Sequence, residues 1–410
     1  MRSFSFMKIN RRVIYYYILL IPFFPVQSIQ MLGIANTYWI AVYNTIAVAR
    51  LVVAALSIVC FMVNRESPNR LTLGVIAIEL MTLLSCYING TLTFRFSLTM
   101  CMATIGFAML CQELDKRNEE YFLKANILFF GTLCFFGTLS ILIFPNGLNN
   151  SPQKQFAIWF LGSKNSSYFY FAQLLFLLCY DAIFHYKNIS KKTIIYALIF
   201  ICCTFICNSS NGTVMLLILL AGIAAIKYHL LFRRFLKPNI VIMSVILLAL
   251  AIPFLSSGAL EWAFRAIGRT SDFSMRTYIW KSALDMIYNN PLFGNGKDGD
   301  LIFYGRQTQA HNFYIDIAAK YGILVVGFVI MTIIMVANNI RNTKNKELAF
   351  VGSLFLFTLL GHGLFDVMGM YYFVLTLFFC NKIAKDSKET VGHKRIQKTT
   401  QPITVNGMRR

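Results

Sequence analysis

The side chains equipped for chemistry gather where the hydrophobicity of the chain lapses. Between residues 260 and 315, Arg265, Arg269, Arg276, Lys281, Lys297 and Arg306 are followed by His311 and Asn312. Guanidinium groups bind phosphate oxygens bidentately, so several together match a diphosphate. An imidazole takes a proton from a hydroxyl near neutral pH, which suits group transfer. Each residue also has a plainer reading: a loop arginine as a solvated or headgroup-binding charge, His311 as decoration of a helix entry. Arg276 stands apart because a helix fixes its direction. Ser274 can cap that helix, Ile279, Ala283 and Ile287 repeat at helical spacing, and Asn290-Pro291 stops it. Asn312 reads as the N-cap of the next helix, with Asp316 in its first turn.

Other ionisable residues fall within apolar segments. A charge at the bilayer centre costs about 2.5–3.5 kcal/mol on insertion scales, so Arg50 and Arg95 point to a polar cavity. Arg95 lies a turn inside the outer end of its segment and is a second candidate for the diphosphate. Glu79 is placed to neutralise Arg50, and Lys320 to pair with Asp316 or snorkel outward. His362 and Asp366, four residues apart, form either an oriented pair or a structural one. Two patterns are declined. Gly294-Asn295-Gly296-Lys297-Asp298-Gly299 fits G-x-G-x-x-G but follows a helix rather than a strand. Asp298-Gly299-Asp300 has the look of a metal-binding D-x-D. Both read better as turn chemistry, and no metal or cofactor is expected.

The elements that must position these residues are membrane helices. The chain has 410 residues, 57% hydrophobic and 13% charged, with mean hydropathy +0.60. A soluble domain carries about a quarter charged residues, so the fold class is all-α, a polytopic membrane protein. Spans of sufficient length are expected near 13–32, 38–63, 71–88, 91–111, 121–144, 166–186, 193–208, 212–230, 239–259, 316–340, 347–365 and 369–384, about twelve in all. The net charge of +21 is topological rather than a nucleic-acid footprint. If Arg2, Lys8, Arg11 and Arg12 are cytoplasmic, every second break carries the cations, from Arg65 and Arg70 to Arg341, Lys344 and Lys346. The intervening short breaks hold almost none, only Lys154 and Lys164 in the 145–165 loop. That alternation obeys the positive-inside rule, placing both termini in the cytoplasm and the large loop outside. Residues 1–259 thus read as nine spans, 260–315 as an extracytoplasmic catalytic loop containing a short helix, 316–384 as three spans, and 385–410 as a basic cytoplasmic tail. The ten cysteines sit in or at the edges of spans and none in the large loop, so no disulfide framework is implied there; Cys202, Cys203 and Cys207 share one helix and read as packing residues.

The chain resembles the bacterial O-antigen ligase and polysaccharide polymerase family. The run Ser274-Met275-Arg276-Thr277-Tyr278-Ile279-Trp280 and then Asn290-Pro291-Leu292-Phe293-Gly294-Asn295-Gly296 carries the likeness, followed by His311, Asn312, Ile315 and Gly322. Gly361-His362-Gly363-Leu364-Phe365-Asp366, Gly162-Ser163-Lys164-Asn165 and Ser209-Ser210-Asn211-Gly212 are similar to further family segments. The recognisable core covers roughly 160–370.

This resemblance implies glycan transfer at the outer face of the bacterial plasma membrane. The donor would be a glycan on undecaprenyl diphosphate, and the acceptor a sugar hydroxyl, with no metal or cofactor. His311 is then the candidate general base. Arg276, Arg269 and Arg95 would meet the diphosphate, and Lys164, Asn312, His362 and Asp366 would support the site. Besides the lipid-linked glycan and the bilayer, a flippase and a chain-length regulator of the same pathway are implied partners; nucleic acid is not. Polymerase and ligase share the signature. The compact outer loop and the Asn290–Gly296 run favour a polymerase acting on a lipid-linked repeat unit over a ligase acting on lipid A-core. A flippase or other transporter would be expected to show two similar halves, and no internal repeat is visible.

Overall fold

A computed structural model describes residues 10–26, 28–29, 37–153, 156–186, 188–228, 237–255, 276–299, 301–303 and 306–383. Those residues form a helical bundle. In chain order it comprises α1 (Arg11–Leu20), α2 (Thr37–Val63), α3 (Arg70–Ile88), α4 (Ala103–Arg117), α5 (Glu119–Ile143), α6 (Ser166–Tyr186), α7 (Lys191–Ile206), α8 (Ser210–Lys227) and α9 (Pro238–Leu255). Then come α10 (Arg276–Asn289), α11 (Phe313–Tyr321), α12 (Ile323–Arg341), α13 (Lys346–Gly363) and α14 (Met370–Ile383). One element departs from the all-helical expectation. Strands β1 (Leu301–Phe303) and β2 (Arg306–Thr308) form a small antiparallel hairpin just ahead of His311, with Ile302 opposite Gln307.

Helix starts follow the side chains able to cap them. Asn69, Asn118, Ser190, Asn312 and Asn345 each accept a backbone N–H of the first turn. Among the described residues, six helical stretches are long and apolar enough to cross a membrane: Tyr38–Val63, Arg70–Ile88, Phe94–Ile143, Ser166–Tyr186, Ser210–Lys227 and Ile323–Arg341. The third is two helices, broken at Asn118 where the backbone is extended (φ −165°, ψ 100°). Phe94–Ile143 takes in two of the twelve expected spans, and other helices fall short in length or hydropathy. The 16 residues of α7, for example, extend only about 24 Å.

Two expected spans are not continuous. The first stops at Leu20, passes through a 3-10 turn at Ile21–Phe23 and leaves the helical path. Pro22 removes a backbone donor there, and Phe23 and Phe24 anchor the chain among Phe107, Phe129, Phe130 and Tyr372. Arg50 serves this break: its Nε donates to the Pro22 carbonyl at 2.8 Å, and its guanidinium lies 5.3 Å from the Tyr371 ring centre. No described ion pair joins Arg50 to Glu79. The Glu79 carboxylate instead lies toward Cys101 and Thr104, beside a π-helical turn over Ser97–Met102 that leads into α4.

The second interrupted span is the tenth, divided at Gly322 (φ +86°) into α11 and α12. The Asn290–Gly296 run fills the break. The Asn295 and Gly296 amides donate to the Lys320 carbonyl at 2.9 and 2.7 Å, and the Asn295 side-chain amide to Ala319 at 2.9 Å. Ile323 N–H returns a bond to Pro291 O at 2.9 Å. The orphan carbonyls ending α11 are thus met by loop amides. This close approach requires glycine: a Cβ on Gly322 would lie 2.1 Å from Leu292 O, and one on Gly294 2.5 Å from Lys320 O. On its other side the loop is tied to α3, where Ser85 Oγ donates to Phe293 O at 2.5 Å.

Candidate functional site

α10 brings Arg276 in. Its apolar face is seated on the bundle through Ile279, Trp280 and Ala283, all buried. The Trp280 indole N–H donates to the Ala310 carbonyl at 2.7 Å, fixing α10 against the residue that precedes His311. From there Arg276 Nη1 donates to the Phe365 carbonyl at 2.9 Å.

His311 sits in a turn held from both sides. Its own backbone is left-handed (φ +49°), a conformation costing about 1–2 kcal/mol for a residue with a Cβ. Three bonds hold it. Asp316 Oδ1 accepts the Ala310 N–H at 2.9 Å, and Asn312 Oδ1 accepts the N–H groups of Tyr314 and Ile315 at 3.1 and 3.2 Å. Asn312 is therefore the N-cap of α11, as its residue type predicts. Asp316 does more than complement the helix dipole: it reaches back to define the His311 turn, while its Oδ2 lies 3.4 Å from Lys320 Nζ.

Asp366 faces His311, with Nδ1 and Oδ1 3.8 Å apart. At that separation the contact is electrostatic and would need to close by about 1 Å to become a hydrogen bond. The His311 side chain is 38% exposed and that of Asp366 17%, so a reactant reaches the imidazole first and the carboxylate stands behind it. Burial works to raise the carboxyl of Asp366. The polar contact with His311, the His362 ring and the Val367 amide, which donates at 2.9 Å, together outweigh it and hold the group below its usual range.

His362 does not form the oriented pair with Asp366 that their spacing allows. α13 ends at Gly363, and Asp366 turns to His311 instead. The His362 ring is fully buried, stacked on Tyr168 (4.1 Å, 3°) with Phe169 edge-on. Its carbonyl accepts from Asn211 Nδ2 at 3.2 Å and from the Phe365 N–H at 3.0 Å. The neighbouring Leu360 carbonyl accepts from the Tyr314 hydroxyl at 3.0 Å. The 360–366 turn is thus the hub that joins α8, α10 and α11.

The remaining candidates divide. Lys164 is half-buried in the turn that places Asn165, whose Oδ1 accepts from Ser209 Oγ at 2.9 Å. Through Ser209 and Asn211 that turn connects to the His362 carbonyl. Arg95 is exposed on a three-residue helical turn, Phe94–Phe96, and no described contact joins it to His311 or Arg276. Arg269 and Arg265 lie outside the described residues. Among the described residues, no three His, Cys, Asp or Glu side chains gather as a set that could hold a metal ion. Sequence reasoning named Trp280 without a role in holding His311, since it reads as core, and missed the Phe365 carbonyl, which has no residue signature.

Taken together, a partly exposed imidazole backed by the Asp366 carboxylate and a guanidinium of fixed direction both meet the Phe365-Asp366 turn. Such a site can deprotonate a hydroxyl and stabilise a negatively charged group beside it. Residues 195–331 match the family model described as O-antigen ligase. That supports the family which the sequence resembles, whose members are glycosyl-transferring membrane enzymes. The match covers Asn211, Arg276, His311, Asn312 and Gly322 and leaves out Lys164, His362 and Asp366. No curated protein matches the chain.

Proposed function

We propose that the protein is a polymerase of surface polysaccharide: O-antigen, capsule or exopolysaccharide. It transfers glycan from undecaprenyl diphosphate to a sugar hydroxyl of a lipid-linked repeat unit at the outer face of the plasma membrane. One observation carries the chemistry: Asp366 faces His311 while the adjacent Phe365 carbonyl orients Arg276. The His311 Nδ1 side turns to Asp366, leaving Nε2 to act as general base. The acceptor oxygen attacks the anomeric carbon and loses its proton to Nε2. The bond from that carbon to the diphosphate oxygen breaks, and undecaprenyl diphosphate leaves with the electron pair. Arg276 and Arg269 meet the charge that develops on the leaving oxygen. Lys164, in the turn linked through Ser209 and Asn211 to the His362 carbonyl, is a supporting candidate, and Arg95 a further candidate for the lipid diphosphate.

A ligase reading is the alternative, favoured by the O-antigen ligase family model that matches residues 195–331. The Asn290–Gly296 run, polymerase-like in sequence, packs on α11 and so bears on the scaffold rather than on the acceptor. The experiment is the surface-glycan pattern of a strain lacking the gene, complemented with His311→Ala or Arg276→Ala. Single repeats on the final acceptor indicate a polymerase, and polymer stranded on undecaprenyl carrier a ligase. Both variants should lose long chains while still reaching the membrane. Normal chain lengths in both would sink the assignment.

A further inference from the structure

Between α6, α13 and α14 lies a small cavity of about 10 Å³. That is close to the room one water molecule needs. Its walls are partly aromatic, but Tyr168, Gln173, Thr358, Tyr372 and Thr376 also line it. Gln173 is bound at one end of its amide only, to the Thr376 hydroxyl at 2.7 Å. Whichever way that amide is turned, its other end is buried without a protein partner. The Tyr168 and Tyr372 hydroxyls are likewise buried and unbonded. Tyr168 lies toward Thr358 and Tyr372 toward Tyr170, yet neither pair closes into a hydrogen bond of good geometry. The Thr358 hydroxyl is committed to its own helix, donating to the Phe355 carbonyl at 3.2 Å.

Polar groups so deeply buried are almost always bonded, to protein or to ordered water. Three unbonded polar groups around one small cavity, with two hydroxyls able both to donate and to accept, supply the two to four partners that a buried water requires. A dry cavity would be lined by aliphatic side chains, whereas this one collects the polar atoms of three helices. We propose that the cavity is a water-binding site in the core of the bundle, with Tyr168 Oη, Gln173 Nε2 and Tyr372 Oη as ligands. The water joins α6 to α14 through Tyr168, whose ring also stacks on His362. The proposal stands on packing and polarity alone and does not depend on the reaction assigned above.

Two measurements on the full chain test it. In a density map of the wild-type protein that resolves ordered water elsewhere in the core, a peak should lie between about 2.6 and 3.2 Å from Tyr168 Oη and from the free end of the Gln173 amide. Tyr168→Phe and Tyr372→Phe, which keep the rings and remove only the hydroxyls, should each lower the thermal unfolding temperature by a few degrees. If the cavity is dry, the same substitutions remove unbonded hydroxyls and leave that temperature unchanged or raise it. That result, or a map with ordered water elsewhere in the core and none here, overturns the proposal.

Discussion

At the scale of single residues, the site depends on what stands behind His311. A bare imidazole at a helix entry has no preferred tautomer. One facing Asp366 across 3.8 Å has the Nδ1 proton favoured and Nε2 exposed. Replacing Asp366 by Asn leaves shape and volume intact but removes the charge, so product formation should fall on the order of 10²-fold. Glu at this position should recover part of it, as measured by chain-length distribution or turnover with purified lipid-linked donor. Equal activity in Asp366→Asn and wild type would remove the carboxylate from the mechanism. The pH dependence has a defined sign. The folded state holds this carboxyl below its ordinary value of 3.8, so its contribution to stability is complete above that value and is lost as pH falls through the lower folded value. The gap in unfolding temperature between wild type and Asp366→Asn should therefore be level from about pH 5 to 8 and close below about pH 4. Sequence reasoning reached His311, Asn312 and Arg276 because residue type and helical position point to them. It paired Asp366 with His362, because four-residue spacing presumes a helix that in fact ends at Gly363.

At the scale of elements, glycines decide the geometry. The His311–Gly322 spacing is legible as a pattern, but its cause appears only when α11 and the 290–296 loop are seen together. Gly322 lets the chain turn between two helices while the loop carbonyl of Leu292 closes against it. Hydropathy marks that break only faintly, by Lys320-Tyr321-Gly322 ahead of the apolar run that follows, so 316–340 reads as one span. Gly322→Ala should be severe: the backbone angle alone costs about 1–3 kcal/mol with a side chain, and the Cβ would lie 2.1 Å from a carbonyl oxygen. Gly327→Ala is the control, a helical glycine in α12 with nothing within 4 Å of the added atom. It should leave stability unchanged or raise it, because alanine favours helix by about 1 kcal/mol. The measurement is the thermal unfolding temperature of both proteins in the same detergent, alongside membrane yield. A Gly322→Ala protein as stable as Gly327→Ala would mean that the loop does not hold α11 in place.

At the scale of the whole molecule, side-chain contacts sort the connecting segments into two sets. One set ties the basic breaks together: Lys116 pairs with Glu66, Asn10 with Tyr121, and Asn339 with Asn381. Lys382, nearly buried, reaches both Asp115 and Glu119, binding the end of α14 to the break between α4 and α5. The other set comprises the site and its supports, through Asn165 with Ser209, Asn211 with the His362 carbonyl, and Ser85 with Phe293. No described hydrogen bond or ion pair crosses from one set to the other. The charge alternation in the sequence anticipates this division, because cations resist translocation and so collect on one side of the helices. It says nothing of the partners inside each set, which depend on helix packing. If the basic set faces the cytoplasm, a donor carried on a lipid diphosphate must reach His311 from the far side. Reporter fusions test that directly. A reporter active only outside the cytoplasm should work when joined in the Asn146–Asn150 turn and fail when joined at Asn345. A reporter active only in the cytoplasm should give the opposite result. The reverse pattern would put His311 in the cytoplasm, where nucleotide-linked donors are available, and the lipid-linked donor would then lose its topological support.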